Sequence, residues 1–189
     1  MLPNPPFFEQ SDGMIVLPVF GDQMSRIHAR SWTVLGCCAR PTAGKTWADL
    51  SIVAYDKEER WAAYNEMYVV PINYDLWIAF LRTEYRGVGN ESAWISRSVT
   101  TDGGYTWSKP ALCFVGGAPE AAVLPDGGLA VGASGGLHIT YDLGRTWTQA
   151  RPPRGYVCPI LLDQDTVVVG NGNDWGRFDV LRRIPASKK

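Results

Sequence analysis

The sequence predicts an all-β chain assembled from repeated units of four antiparallel strands. Three observations carry that reading. The pattern Thr-x-Asp-x-Gly-x-Thr-Trp occurs twice, as Thr100-Thr101-Asp102-Gly103-Gly104-Tyr105-Thr106-Trp107 and as Thr140-Tyr141-Asp142-Leu143-Gly144-Arg145-Thr146-Trp147. A strand–turn–apolar strand element recurs upstream of it. Twenty Gly, thirteen Pro and eight Trp sit among short Val, Ile, Leu, Ala and Tyr runs with no long helical period, which is an all-β composition with frequent turns. An internal repeat decides architecture before any single residue does.

The elements follow in order. Strand–turn–strand segments fall at Phe7–Asp12, Gly13 and Met14–Phe20; at Glu66–Ile72, Asn73–Asp75 and Leu76–Leu81; at Glu120–Leu124, Pro125–Gly128 and Leu129–Val131; and at Cys158–Leu162, Asp163–Asp165 and Thr166–Val169. Pro-Asp-Gly-Gly at 125–128 is a strong turn signal. Third strands are expected at Ser31–Ala39, Ala93–Thr100, Leu137–Thr140 and Arg177–Ile184. In the first three units an eight-residue turn then leads to a fourth strand. A worn third copy of that turn, Arg40-Pro41-Thr42-Ala43-Gly44-Lys45-Thr46-Trp47, keeps only Gly-x-Thr-Trp. In each full copy the Asp accepts bonds from turn N–H groups, the Gly supplies a positive φ, and the Trp closes over the turn. The tryptophans at 47, 107 and 147 lie 60 and 40 residues apart, which brackets a four-stranded propeller blade.

The eight-residue pattern resembles the Asp box, or BNR repeat, of the sialidase-like β-propellers. The resemblance implies a sialidase-like β-propeller, with this chain supplying about four blades of a six-bladed ring. Residues 1–189 then form a single propeller domain or a fragment of one. A partner or a second copy could complete the ring, or it could close with fewer blades. The Asp box itself is a structural turn.

Composition excludes several classes. With 189 residues a chain buries roughly 70% of its unfolded surface. The net charge of −1 gives no pull towards nucleic acid or an anionic membrane. No apolar run reaches the ~18 residues of a transmembrane helix. Met1-Leu2-Pro3-Asn4-Pro5-Pro6 lacks the basic start and apolar core of a signal peptide, so the chain is expected to be cytoplasmic or a fragment of a secreted protein. Cys37, Cys38, Cys113 and Cys158 show no metal spacing and read as free thiols. No metal or cofactor is expected.

Strand parity divides the candidate site residues from the Asp boxes. In a four-stranded blade the start of strand one and the end of strand two share a rim, and the three–four turns lie at the other end. Glu66 starts strand one of unit two and Arg82 ends its strand two. Two seven-residue strands joined by a three-residue turn should bring these ends into register. Glu120 is expected at the Glu66 position of unit three, and Tyr156 precedes strand one of unit four. His28 and Arg30 fall in the two–three loop of unit one, and Trp175 in that of unit four.

Asn65-Glu66-Met67-Tyr68-Val69-Val70 followed by Leu76-Trp77-Ile78-Ala79-Phe80-Leu81-Arg82 is similar to the sialidase segment in which a glutamate opens a strand and an arginine ends the next. The similarity implies Glu66 as the base that activates a nucleophilic tyrosine, with Tyr156 the candidate. It implies Arg82 as one arginine of a triad that holds the sialic-acid carboxylate. A phenol approaches an anionic sugar more easily than a carboxylate does, and arginine grips a carboxylate through two parallel bonds. The third arginine of the triad would fall near Gly132-Ala133-Ser134-Gly135-Gly136, which has none. The expected function is an exo-glycosidase acting on terminal sialic-acid-type sugars, or an incomplete relative of one. The alternative is a non-catalytic Asp-box propeller that binds a glycan or protein. Two plainer readings stand beside these: Arg82 simply pairs with Glu66, and Tyr156 is a strand-edge aromatic.

Overall fold

The computed structural model describes residues 2–3, 7–24, 31–40, 48–54, 64–84, 93–151, 155–171 and 178–182. Among them every regular element is a β-strand. The chain divides into two compact units, Met1–Val115 and Gly116–Lys189.

The first unit holds two antiparallel sheets. One runs β1 (Leu2–Pro3), β3 (Ile15–Met24), β4 (Ser31–Arg40), β5 (Ala48–Ala54), with β2 (Phe8–Glu9) also on β3. The other runs β6 (Tyr64–Pro71), β7 (Trp77–Thr83), β8 (Trp94–Thr100), β9 (Ala111–Val115). The second unit holds β10 (Glu120–Val123), β11 (Leu129–Ala133), β12 (Gly136–Thr140), β13 (Thr148–Arg151), and a three-stranded sheet of β14 (Val157–Leu161), β15 (Thr166–Asn171), β16 (Phe178–Arg182). The sequential meander is the order expected of propeller blades.

Each sheet opens with the same hairpin. Strands one and two are joined by five residues: Gln10–Met14, 72–76, Leu124–Gly128 and Leu162–Thr166. In every case the first N–H donates to the fifth C=O, at 2.8, 2.9, 2.8 and 2.9 Å. An Asp or Asn in each connection accepts backbone N–H bonds: Asp12, Asn73, Asp126 and Asp163. These side chains satisfy turn donors that a buried backbone could not leave unpaired.

Alternation along the strands sets the core. In the first unit Val16, Val53, Tyr64, Met67, Val69, Trp77, Ala79 and Leu81 pack together, with Phe8 edge-on to Trp77 at 5.0 Å. In the second, Leu124, Ala130, Leu137, Val157 and Val169 do the same. There the strands approach so closely that a Cβ on Gly132 would lie 1.9 Å from the Val157 carbonyl oxygen. Only glycine permits that approach.

Both complete copies of Thr-x-Asp-x-Gly-x-Thr-Trp form the expected turn. Asp102 accepts from the Thr106 N–H at 2.9 Å and from the Thr106 and Thr100 hydroxyls at 2.6 and 2.7 Å. Asp142 repeats this with Thr146 and Thr140 at 2.9, 2.7 and 2.8 Å. The Gly104 φ of +90° places its Cα over Trp77, where a Cβ would meet the ring at 2.3 Å. Trp107 and Trp147 each donate from Nε1 to their own turn, at 3.0 Å to the carbonyls of Gly104 and Gly144. Both tryptophans are only partly buried. They lie over their turns as lids, as the sequence suggested. The worn copy at 41–47 lies outside the described residues.

Candidate functional site

The rim of the second sheet gathers three charged side chains. Arg82 Nη1 donates to both Glu66 carboxylate oxygens at 3.0 Å. Its Nη2 meets Glu84 Oε1 at 2.7 Å. The side chains are 22% (Arg82), 35% (Glu66) and 34% (Glu84) exposed, so a solute reaches them. The Asp102 turn lies at the far end of the same sheet: Thr100, which precedes it, pairs with Trp77, while Arg82 pairs with Ile95.

The backbone brings Glu66 there by an irregularity. The expected in-register pairing holds from Pro71↔Trp77 to Tyr68↔Phe80, then shifts so that Asn65, and not Glu66, stands opposite Arg82. Two residues, Glu66 and Met67, thus face the single Leu81, which is a β-bulge. The bulge lets Met67 join Leu81 in the core while Glu66 turns to the opposite face, where Arg82 points. Glu66 itself has φ +46°, the left-handed region that costs a non-glycine residue roughly 1–2 kcal/mol.

The common hairpin gives a firm correspondence between repeats. Five residues before the last paired residue of strand one stand Glu66, Ala118 and Tyr156 in the second, third and fourth sheets. Ala118 also has a left-handed φ, +51°, as Glu66 does. The residue in the Glu66 place of the third repeat is therefore Ala118, and Glu120 corresponds to Tyr68. Matching the starts of the expected strands, seven residues long at 66–72 and five at 120–124, produced the mismatch. By the same count Arg82 corresponds to Ser134.

Glu120 is exposed at the start of β10 and has a different neighbour. The Cys158 thiol hydrogen-bonds it, and burial first, then this carboxylate, pushes the thiol up to about 12. Such a thiol is unreactive near neutral pH. Ser134 ties the preceding loop: its Oγ accepts from the Gly117 N–H at 2.8 Å. Tyr156 is 49% exposed ahead of β14. It belongs to the second unit, whereas Glu66 and Arg82 belong to the first. His28, Arg30 and Trp175 lie outside the described residues.

Sequence reasoning passed over Glu84. The available signal was its place two residues after Arg82, which puts both on one face of an extended chain. A concavity of about 200 Å³ lies at the turn end of the first unit, lined among others by Phe8, Gln10, Ser11, Asn73 and Tyr74. Among the described residues no group of three His, Cys, Asp or Glu could hold a metal ion, and no helix is long and apolar enough to cross a membrane.

No family model and no curated protein matches the chain. Solved structures do. A protein of unknown function from Dyadobacter fermentans is 24% identical with a TM-score of 0.61 over 92% of this chain and 50% of its own. The α-L-arabinanase of Penicillium chrysogenum, solved with arabinobiose, is 15% identical with a TM-score of 0.64 over 92% and 60%. The NanB sialidase of Streptococcus pneumoniae is 14% identical with a TM-score of 0.56 over 92% and 28%. This chain thus spans half to six-tenths of the first two. At these identities the likeness speaks for fold, and the fold is that of the sialidase-like β-propellers.

Proposed function

We propose that this chain presents the glycan-facing rim of a sialidase-like exo-glycosidase, or of a propeller of the same descent that binds its ligand without cleaving it. The observation that carries the proposal is the Glu66–Arg82–Glu84 cluster. It sits at the start of a first strand whose other edge is unpaired within its sheet, at the end away from the Asp-box turn. An accessible array of carboxylates and a guanidinium, held by a bulge, suits hydroxyl-rich ligands. Fold likeness to an arabinanase and to sialidases supports a carbohydrate as the ligand class.

Binding is the better supported half of this reading. The third repeat has Ser134 and Ala118 where the second has Arg82 and Glu66, so a carboxylate-gripping arginine is not repeated there. The hydrolytic half assigns Tyr156 as nucleophile and Glu66 as its base, for retaining hydrolysis through a tyrosyl–glycosyl intermediate. A panel of fluorogenic glycosides and immobilised glycans separates the two. Glu66→Gln should abolish both retention and turnover. Tyr156→Phe should abolish turnover alone. Glycan retention unchanged by Glu66→Gln would remove the site from this rim.

A further inference from the structure

We infer that the concavity at the turn end of the first unit binds a single neutral sugar ring, with Gln10 as its hydrogen-bonding floor. This site is separate from the Glu66–Arg82–Glu84 rim and does not depend on it.

Its walls are the hairpin after β2 and the hairpin between β6 and β7. Two contacts hold them together. Phe8 stands edge-on to Trp77 at 5.0 Å, and the Tyr74 hydroxyl donates to Asp12 Oδ2 at 3.0 Å. The space between them is about 200 Å³. That is the size of one six-membered ring, since a cavity of roughly 150 Å³ holds a benzene. Pro71 pairs with Trp77 at this end of the sheet and Asn65 with Arg82 at the other, so a strand's length separates the concavity from the rim.

Gln10 carries the argument. It lines the concavity and is only 9% exposed. Its backbone is spoken for: the N–H donates to the Met14 C=O at 2.8 Å, and the C=O accepts from the Gly13 N–H at 2.9 Å. The carboxamide is what remains, and neither its oxygen nor its nitrogen has a hydrogen-bond partner. A buried polar group left unpaired costs its full desolvation. The hairpin does not require it. The same position, first of the five connecting residues, is held by Ile72, Leu124 and Leu162 in the other three sheets. Folding is served there by an apolar side chain, and the first sheet alone of the four carries an amide.

A carboxamide sets a donor beside an acceptor, which matches two adjacent sugar hydroxyls, each able to give or take a bond. Neither atom touches solvent in this conformation, so a ligand meets the carboxamide through a turn about its side-chain torsions, and no existing hydrogen bond opposes that turn. Phe8 and the half-exposed Tyr74 supply apolar ring surface beside it, the mixture of aromatic wall and few polar groups that small-molecule sites have. No basic residue lines the concavity, whereas Glu9 does and Asp12 stands at its edge. Like charges therefore turn anionic ligands away. One ring in so small a site binds weakly and adds little to retention on an immobilised glycan.

The test is an NMR titration of isotope-labelled Arg82→Ala protein, whose rim is disabled, with methyl glycosides of neutral hexoses. The Gln10 side-chain amide signals, identified by their loss in Gln10→Leu, should shift and saturate. Gln10→Leu should weaken binding about tenfold or more and melt no lower than its parent, because an unpaired amide gives way to the residue type of the other hairpins. Tyr74→Ala should weaken binding as well. Cyclohexanol, a ring of the same size with one hydroxyl, and free sialic acid should each bind about tenfold more weakly than the hexoses. Hexose affinity that Gln10→Leu leaves unchanged, or Gln10 amide signals that do not move, would overturn the site. Cyclohexanol or sialic acid bound as tightly as the hexoses would overturn the ligand class. A Gln10→Leu protein that melts well below its parent would make the amide structural and overturn the inference too. Each of these failures leaves the rim untouched, since Arg82 is absent throughout.

Discussion

The second and third repeats share a backbone and differ at one rim. Both have the five-residue hairpin with the same closing bond, both have a Thr-x-Asp-x-Gly-x-Thr-Trp turn with matching hydrogen bonds, and both place a left-handed residue at the same position. In the second that residue is Glu66, bonded to Arg82. In the third it is Ala118, and the Arg82 place is held by Ser134, which ties a loop. Backbone strain therefore belongs to the repeat and is no mark of function by itself. The charge placed on the strained residue is what distinguishes the candidate site. The far ends of the two sheets have nearly the same bonding.

The largest effect should come from the position where the third repeat admits no side chain. Gly132→Ala is expected to destabilise by about 3–5 kcal/mol, the upper range for single substitutions, because its Cβ would meet the Val157 carbonyl oxygen. Denaturant unfolding measures this. A change below 1 kcal/mol, by the same scale, would mean that the two strands separate easily.

Next come the turn tryptophans. Trp107→Ala and Trp147→Ala should each cost about 2–3 kcal/mol, below the 3–5 of a fully buried large-to-small change, since both rings keep a face in solvent. The two losses should match within error if the two turn ends are equivalent. A loss at Trp107 alone would break the comparison there, its added contacts with Trp77 and Ser51 being the cause.

The rim itself separates function from stability. Arg82→Ala should reduce glycan retention by about a hundredfold or more, as loss of a charged binding group does. Glu120→Ala should leave retention unchanged. Retention that depends on Glu120 as strongly as on Arg82 would move the site to the third repeat.

The smallest effect concerns acid. Asp102 falls from an ordinary 3.8 to about 2 through its bonds from the Thr106 hydroxyl and N–H and then the Thr100 hydroxyl. Asp142 is lowered further, by the Thr146 N–H first. A carboxylate lowered on folding contributes stability that is fully present above its unfolded value and lost as pH falls through the folded one. Melting temperature should thus decline between about pH 4 and pH 2, and Asp102→Asn should flatten part of that decline. A double variant, Asp102→Asn with Asp142→Asn, that retains the full acid slope would place its origin elsewhere.

Much of this was legible in the sequence, for physical reasons. Pro-Asp-Gly-Gly and the two Thr-x-Asp-x-Gly-x-Thr-Trp turns are fixed by side-chain bonds and positive φ, both local effects, so in the second to fourth sheets strands came within two residues of their observed ends, whereas in the first sheet the expected Phe7–Asp12 and Met14–Phe20 became Phe8–Glu9 and Ile15–Met24. Arg82 and Glu66 were legible because a hairpin joins the two ends of its strands. The bulge was not. Nothing in Asn65-Glu66-Met67 announces a left-handed glutamate, since the residue types that favour that region are Gly and Asn. The repeat correspondence went to Glu120, and not Ala118, because strands of unequal expected length, 66–72 and 120–124, were matched at their starts and not at their common hairpin. Glu84 was overlooked because it follows the strand, where alternation was no longer being followed.

Left-handed backbone at position 66 also sets the direction of mutational drift. Glycine suits a φ of +46° better than glutamate does, so Glu66→Gly should relieve strain at the same step that removes the ion pair. Under selection for folding alone, a library of this gene should lose the glutamate early. Under selection on an immobilised glycan it should be retained against that gradient. Sequencing both populations over successive rounds would show whether position 66 is maintained by what the molecule binds or merely inherited from the architecture it shares with position 118.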